Sequence, residues 1–222
     1  MKRFPLFLIA SSLAALILQS CRFHWFVLVT LLVSLSSQSC RFHSNDPYYL
    51  SPYHKQIVDH RKSQDSFYRF HEGSPFVVTQ TLFKGLDYFE PDSTFCVPFE
   101  LVVGNTHRID TITDSKGNQR PMVVAGDMSF NLKGKLHRLT AYAIEGSHEL
   151  FVMFHDQTNG QSTYKGGRYV EVDSQKGLID FNYAYYPYCF YTEGYACPIV
   201  PKKESLDLAV EAGEKGVHYD AH

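Results

Sequence analysis

The sequence predicts a mainly β protein, an antiparallel β-barrel or sandwich with one N-terminal helix. Aromatic residues make up 15% of the 222 residues, with 17 Phe and 15 Tyr, and strands are enriched in such side chains. Short segments of alternating polarity recur about every ten residues, with turn residues between them. No long helical pattern separates these segments, which argues against a parallel α/β sheet.

The chain begins with two signal-like cassettes in tandem. Lys2 and Arg3 precede the apolar run FPLFLIASSLAALIL, and the hexapeptide QSCRFH occurs at 19–24 and again at 38–43 after a second apolar run. A basic start, an apolar middle and small residues at the end are typical of a secretory signal. A membrane-spanning helix needs about 20 apolar residues, and the first run is shorter. We therefore predict export, with residues 1–40 as the signal or lipid-anchor region and 41–50 as a tether.

Either Cys21 or Cys40 is a candidate for lipidation. Bacterial lipoproteins are cleaved before a cysteine that has a Leu-like residue three places earlier. In this chain the residue at that position is Leu18 for Cys21 and Ser37 for Cys40. Lipidation of Cys21 would leave the second apolar run at the membrane surface, whereas lipidation of Cys40 would remove both runs. Because several acyl chains hold a protein durably on a bilayer, we expect a lipid-anchored envelope protein facing the periplasm or the cell surface.

One helix and a series of strands are predicted beyond the tether. Ser51 and Pro52 fit an N-cap followed by proline at the first helical position, and the helix is expected from 52 to about 69. The segment TFCVPFEL then alternates with period two, and Pro98 within it favours an edge strand or a bulge. We expect residues 51–217 to form one β-rich domain, followed by a tail at 218–222.

Several function classes are not indicated. The formal net charge of −2 gives no reason to expect a nucleic-acid partner. The chain has no G-x-S-x-G elbow, P-loop, G-x-G-x-x-G or C-x-x-C motif. Because its histidines are scattered singly, neither a metal site nor a cofactor is predicted.

The second half of the chain carries a dense set of motifs, with related segments upstream. These are FHDQTNGQSTYKGGRY, LIDFNYAYYPYC, ACPIVP and EAGEKG, preceded by HRKSQDSFYRFHEGSPF and FKGLDYFEPDSTFCV. In these motifs the chain resembles the bacterial family called domain of unknown function 1684, from about residue 53 to 217, although Tyr186 stands where members usually have asparagine. The resemblance implies an exported or lipoprotein member and brings no established activity, cofactor or substrate.

Two interpretations of these motifs stay open. As structure, glycines at 166–167 allow positive φ or close chain approach, and turn residues bond their own backbone. As a site, the motifs supply both catalytic and ligand-binding candidates, since buried acidic and basic groups cluster at sites. The catalytic candidates are Asp156, Arg168, Asp180 and Glu214, and the ligand-binding candidates are Thr158, Tyr164, Arg168, Asn182 and Tyr185.

The leading functional hypothesis is that the barrel or sandwich binds a small ligand or a neighbouring envelope protein. The alternative is a hydrolase-like enzyme that uses an Asp or Glu beside Arg168. An enzyme requires polar groups that converge on an open pocket, with a displaced pKa in one of them. Groups that are sealed under other side chains would be structural.

Arg168 is expected to point into the core. If GRYVEVD and LIDFNY are the arms of a hairpin, strand parity places Arg168 on the apolar face. A buried guanidinium requires a carboxylate partner, which we expect to be Asp156 or Glu214. A bulge at Gly177 would instead place Arg168 beside Asp180.

Cys189 and Cys197 are predicted to form a disulfide. Seven residues separate them in a loop rich in Pro, Gly and Tyr, and export would place them in an oxidising compartment. Cys96 would then remain a free, buried thiol.

Overall fold

A computed structural model describes residues 51–76, 83–104 and 108–217. The tandem cassettes, the tether and the lipidation candidates Cys21 and Cys40 lie outside the described residues, as does the predicted tail at 218–222. Along the described ranges, no helix combines the length and the apolar character that crossing a membrane would require.

The first element is helix α1, Pro52–Phe70. It begins as the sequence predicts, because the Ser51 hydroxyl accepts a hydrogen bond from the His54 amide at 3.2 Å and Pro52 occupies the first turn. Ile57 and Tyr68 are its buried residues. Most of the remaining helix surface is therefore free to border a cleft or face water.

Seven antiparallel strands follow and confirm the predicted fold class. In chain order they are β1 Cys96–Val102, β2 Ile109–Thr113, β3 Gln119–Leu132, β4 Lys135–Ala143, β5 Glu149–Phe154, β6 Arg168–Asp173 and β7 Leu178–Asp180. The main path runs β6-β5-β4-β3-β1-β7, with β2 paired to β3 beside it. Because β6 and β7 are joined by one short turn, the two ends of the path meet and the sheet is a nearly closed barrel.

The predicted β6–β7 hairpin is not a hydrogen-bonded ladder. Strand β7 pairs with residues 96–98 of β1, and β1 then pairs with β3 from Phe99 onward. The Phe99 amide donates to the Gly177 carbonyl at 3.1 Å, so β1 takes the backbone groups that a hairpin would use. Pro98 lies where β1 changes partner, a position that tolerates a missing N–H.

The barrel interior is apolar and includes part of the C-terminal segment. Phe181 is fully buried between the rings of Phe130 and Phe154, at 5.7 and 5.1 Å. Val210 and Ala212, beyond the last strand, are also fully buried in this core. The segment after residue 199 is therefore an integral part of the barrel, and it brings Glu214 to the sheet.

Candidate functional site

A buried ion pair joins Arg168, the first residue of β6, to Asp156 in the loop after β5. Nη2 of Arg168 lies 2.8 Å from Oδ2 of Asp156, and neither side chain is exposed to solvent. The guanidinium also donates to the carbonyls of Val210, Ala212 and Glu214, at 2.7, 2.5 and 3.2 Å. Four acceptors therefore compensate for the removal of this cation from water.

The expectation that Arg168 points inward and meets a carboxylate agrees with this geometry. Of the three acids considered, Asp156 is the partner, Glu214 contributes only its carbonyl oxygen, and Asp180 bonds elsewhere. Asp156 is itself saturated, because its Oδ1 accepts from the Thr158 amide and hydroxyl and from the Val210 amide. The pair is sealed and has no access to a ligand.

Thr158 and Tyr164 belong to the same structural region. The Thr158 hydroxyl lies 2.7 Å from that of Thr163, and the Asn159 side chain donates to the Tyr164 carbonyl at 2.9 Å. The Tyr164 ring packs 4.8 Å from that of Phe190. Neither Thr158 nor Tyr164 lines the large cleft described next.

A cleft of about 1030 Å³ lies between α1 and the outer face of β5 and β6. Helix α1 contributes Gln56, His60 and Gln64, whose four-residue spacing places them on one helix face. The other walls come from the strands and from residues 182–188 and 195–198. We call it the tyrosine cleft because eight of its nine aromatic lining residues are tyrosines, namely Tyr53, Tyr68, Tyr88, Tyr169, Tyr183, Tyr185, Tyr188 and Tyr195, with Phe151.

Asp180 and Asn182 form a polar wall of the tyrosine cleft. The Tyr53 hydroxyl donates to Oδ2 of Asp180 at 2.8 Å, and the Asn182 side-chain amide donates to Oδ1 at the same distance. Burial and the negative charge of Asp180 raise the pKa of the Cys96 thiol to about 11. Cys96 is thus a free thiol as expected, although it is half-buried at the cleft and not fully buried.

Glu214 lies at the floor of the tyrosine cleft and is only 3% exposed. Its Oε2 accepts from the Tyr186 amide at 2.9 Å and from the Tyr191 hydroxyl. Burial raises the pKa of Glu214 to about 7, although these hydrogen bonds and the charge of Arg168 act in the opposite direction. A carboxyl that can change protonation near neutral pH therefore faces the cleft.

The disulfide predicted between Cys189 and Cys197 is not formed in the structure, where both cysteines are free thiols. The Cys189 amide donates to Sγ of Cys197 at 3.2 Å. A hydrogen bond between the thiols lowers the pKa of Cys189 and raises that of Cys197. The loop thus brings the two sulfurs together as a hydrogen-bonded pair.

The structure divides the candidates by whether they line the tyrosine cleft. Asp156, Thr158 and Arg168 are sealed in the core, and Tyr164 is half-buried outside the cleft. The cleft is lined by Asp180, Asn182, Tyr185 and Glu214. Sequence reasoning missed the polar face of α1 and Glu171, whose carboxylate accepts from the Tyr185 hydroxyl at 2.9 Å. The four-residue spacing of Gln56, His60 and Gln64 was the available signal for the helix face.

Within the described ranges, no three His, Cys, Asp or Glu side chains converge in a way that could hold a metal ion.

Comparison with known proteins places the chain among proteins of undetermined function. The family model described as "Protein of unknown function (DUF1684)" matches residues 81–215. An uncharacterized protein of Haloarcula marismortui, known from a solution NMR structure, is 33% identical, with a TM-score of 0.58. That match covers 73% of this chain and 93% of the other. No curated protein matches the chain.

We predict that Arg168→Leu destabilises the fold by about 3–5 kcal/mol, because it leaves the Asp156 carboxylate buried without its cation. Urea unfolding should show this loss, and the double variant Arg168→Leu/Asp156→Leu should recover part of it. Arg138→Leu, at an exposed position of β4, is the matched control. A loss for Arg168→Leu no larger than that of the control would contradict the structural role.

We also predict a pH dependence of stability from Glu214. The folded-state pKa of Glu214 is raised from 4.5 to about 7. Its contribution to the free energy of unfolding is therefore fully present below pH 4.5 and is lost as the pH rises to 7. The loss should be roughly 3 kcal/mol relative to Glu214→Gln, measured by urea unfolding across this range. Tyr191→Phe should shift the midpoint upward, because the hydrogen bond from Tyr191 lowers the pKa of Glu214. A difference that does not vary with pH would rule out the raised pKa.

Proposed function

Since the chain belongs to the DUF1684 family of proteins of unknown function, we propose that its domain binds a small molecule in the tyrosine cleft. The observation that carries this proposal is the position of Glu214, a nearly buried carboxyl at the floor of a large open cleft. Binding sites combine concave, largely aromatic surfaces with a few placed polar groups. The tyrosine cleft has both features.

A small molecule suits this surface better than a neighbouring protein. The polar groups Asp180, Asn182 and Glu214 line a cavity of about 1030 Å³ and not a flat face. Ligand pockets typically measure 300–1,000 Å³, so the cleft has room for a compound of ordinary metabolite size. If the partner is instead a neighbouring envelope protein, it would have to insert a single side chain or loop into the cleft.

The location we propose is the cell envelope, with the protein held to a membrane by lipid at Cys21 or Cys40. The support is the order of basic, apolar and small residues in two successive cassettes, each ending in cysteine. A domain tethered in this way would meet its ligand outside the cytoplasm. The tyrosine cleft would then face the periplasm or the exterior.

A second candidate function is catalysis with Glu214 as a general acid or base. The specific observation is its pKa of about 7, since a group that titrates near the working pH transfers protons efficiently. This differs from the hydrolase hypothesis built on Arg168, because Arg168 is sealed beside Asp156. Turnover of a recovered ligand, lost in Glu214→Gln, would favour catalysis over binding.

We predict that a small compound co-purifies with the full-length protein and is released on denaturation, where mass spectrometry identifies it. Leu178→Trp should reduce its recovery at least about tenfold, because Leu178 is 44% exposed and lines the tyrosine cleft. Leu136→Trp, 61% exposed on β4 away from the cleft, should retain the compound. Equal recovery from both variants, or no compound from the unaltered protein, would refute binding in the cleft.

Export predicts a mature protein that lacks at least residues 1–20 and carries acyl chains on Cys21 or Cys40. The intact mass of membrane-extracted protein measures both features. Cys21→Ser and Cys40→Ser variants should identify the site, because only one of them should lose the added mass. An unmodified mass that includes Met1 would exclude both export and lipidation.

A further inference from the structure

We propose that the ligand of the tyrosine cleft is an organic cation, either an amine or a quaternary ammonium compound. This inference rests on the proposed binding function and specifies the class of ligand. Its basis is the distribution of charges, hydrogen-bond donors and aromatic rings along the cleft.

Two of the eight lining tyrosines, and Tyr191 behind the cleft, direct their hydroxyl protons at carboxylates. In three separate places a tyrosine donates to an acid, so that its proton is not offered to a ligand while the acid keeps free lone pairs. The pairs are Tyr53 with Asp180 at 2.8 Å, Tyr185 with Glu171 at 2.9 Å, and Tyr191 with Glu214. At these three places the acids present unused oxygen lone pairs, which suits a positively charged ligand.

Most carboxylates of the cleft lack cationic partners. Five acids line it, and within the described part of the chain only Asp173 forms an ion pair. The other four are Glu149, Glu171, Asp180 and Glu214. The two lining cations are already engaged, since Nζ of Lys176 lies 3.3 Å from Asp173 and Nε of Arg120 lies 4.0 Å from the buried Asp114. A positively charged ligand would neutralise this excess of negative charge.

One wall presents aromatic rings beside these acids. The Phe151 and Tyr169 rings lie 4.8 Å apart at 68°, and those of Tyr169 and Tyr185 lie 5.8 Å apart at 86°. Glu171 follows on the same strand face as Tyr169. Electron-rich ring faces attract ammonium groups, so this wall combines both kinds of attraction.

Glu214 adds an acceptor at the floor of the cleft. Its hydrogen bonds from the Tyr186 amide and the Tyr191 hydroxyl both reach Oε2, so Oε1 is the oxygen left to face a ligand. A cationic nitrogen near Oε1 would place the rest of the ligand against the tyrosines.

A neutral polyol is the main competing class. It would accept as well as donate hydrogen bonds, yet the hydroxyls of Tyr53 and Tyr185 already donate to carboxylates. The Tyr88 hydroxyl, which has no partner among the described residues, is one donor that remains for it. A polyol would also leave the acids without a counter-charge. The cation therefore matches the cleft more completely.

Full-length protein in a non-ionic detergent tests this with choline and 3,3-dimethylbutan-1-ol, an uncharged isostere of the same shape. Saturation-transfer NMR of the methyl resonances reports binding of each. We expect choline to bind at least about tenfold more tightly. The variant Glu149→Gln/Glu171→Gln, at two exposed positions of the wall, should remove most of this preference, whereas Glu145→Gln on an exposed turn should keep it.

The outcomes separate the ligand class from the proposed function. Equal binding of the two probes would overturn the proposal of a cationic ligand while leaving the cleft as a binding site. A neutral co-purified compound, together with no binding of choline, would have the same consequence. No binding of either probe, together with no recovered compound, would refute both. A preference for choline that survives in the double variant would also overturn the inference, because its source would lie elsewhere.

Discussion

The ion pair between Arg168 and Asp156 is the interaction on which the rest of the structure depends. A guanidinium removed from water is tolerated only where acceptors surround it. Here those acceptors come from the loop after β5 and from three carbonyls of the C-terminal segment. Because hydrophobic packing is non-directional, these hydrogen bonds fix the position of that segment along the barrel in a way that Val210 and Ala212 alone could not.

The sealed pair also places the floor of the tyrosine cleft. Nη1 of Arg168 holds the carbonyls of Ala212 and Glu214, so the Glu214 side chain leaves the backbone at a fixed point. Between them, Gly213 has φ +76°, and a Cβ there would lie 2.5 Å from the Ala184 carbonyl oxygen, so only glycine fits. The buried ion pair and the candidate site are thus connected directly through the backbone of residues 212–214.

Local rules made much of the fold predictable from the sequence. Ser51 and Pro52 defined the start of α1, because capping depends on neighbouring residues alone. Period-two alternation predicted an antiparallel sheet and placed Arg168 on the apolar face of its strand, and the cost of burying a guanidinium predicted its carboxylate partner. The family was recognisable from the motifs around Asp156 and Arg168, whose spacing is a property of the chain itself. Each of these inferences needed only short stretches of sequence.

Tertiary structure decided which distant groups meet. It selected Asp156 over Asp180 and Glu214 as the partner of Arg168, and it paired β7 with β1, because the competing contacts are all non-local and only closure of the barrel distinguishes them. It also set Glu171 opposite α1. The sequence by itself determined the fold class, the helix start and the candidate residues. Only the three-dimensional packing determined which candidates are sealed and which face the cleft, because burial depends on residues that are far apart in the chain.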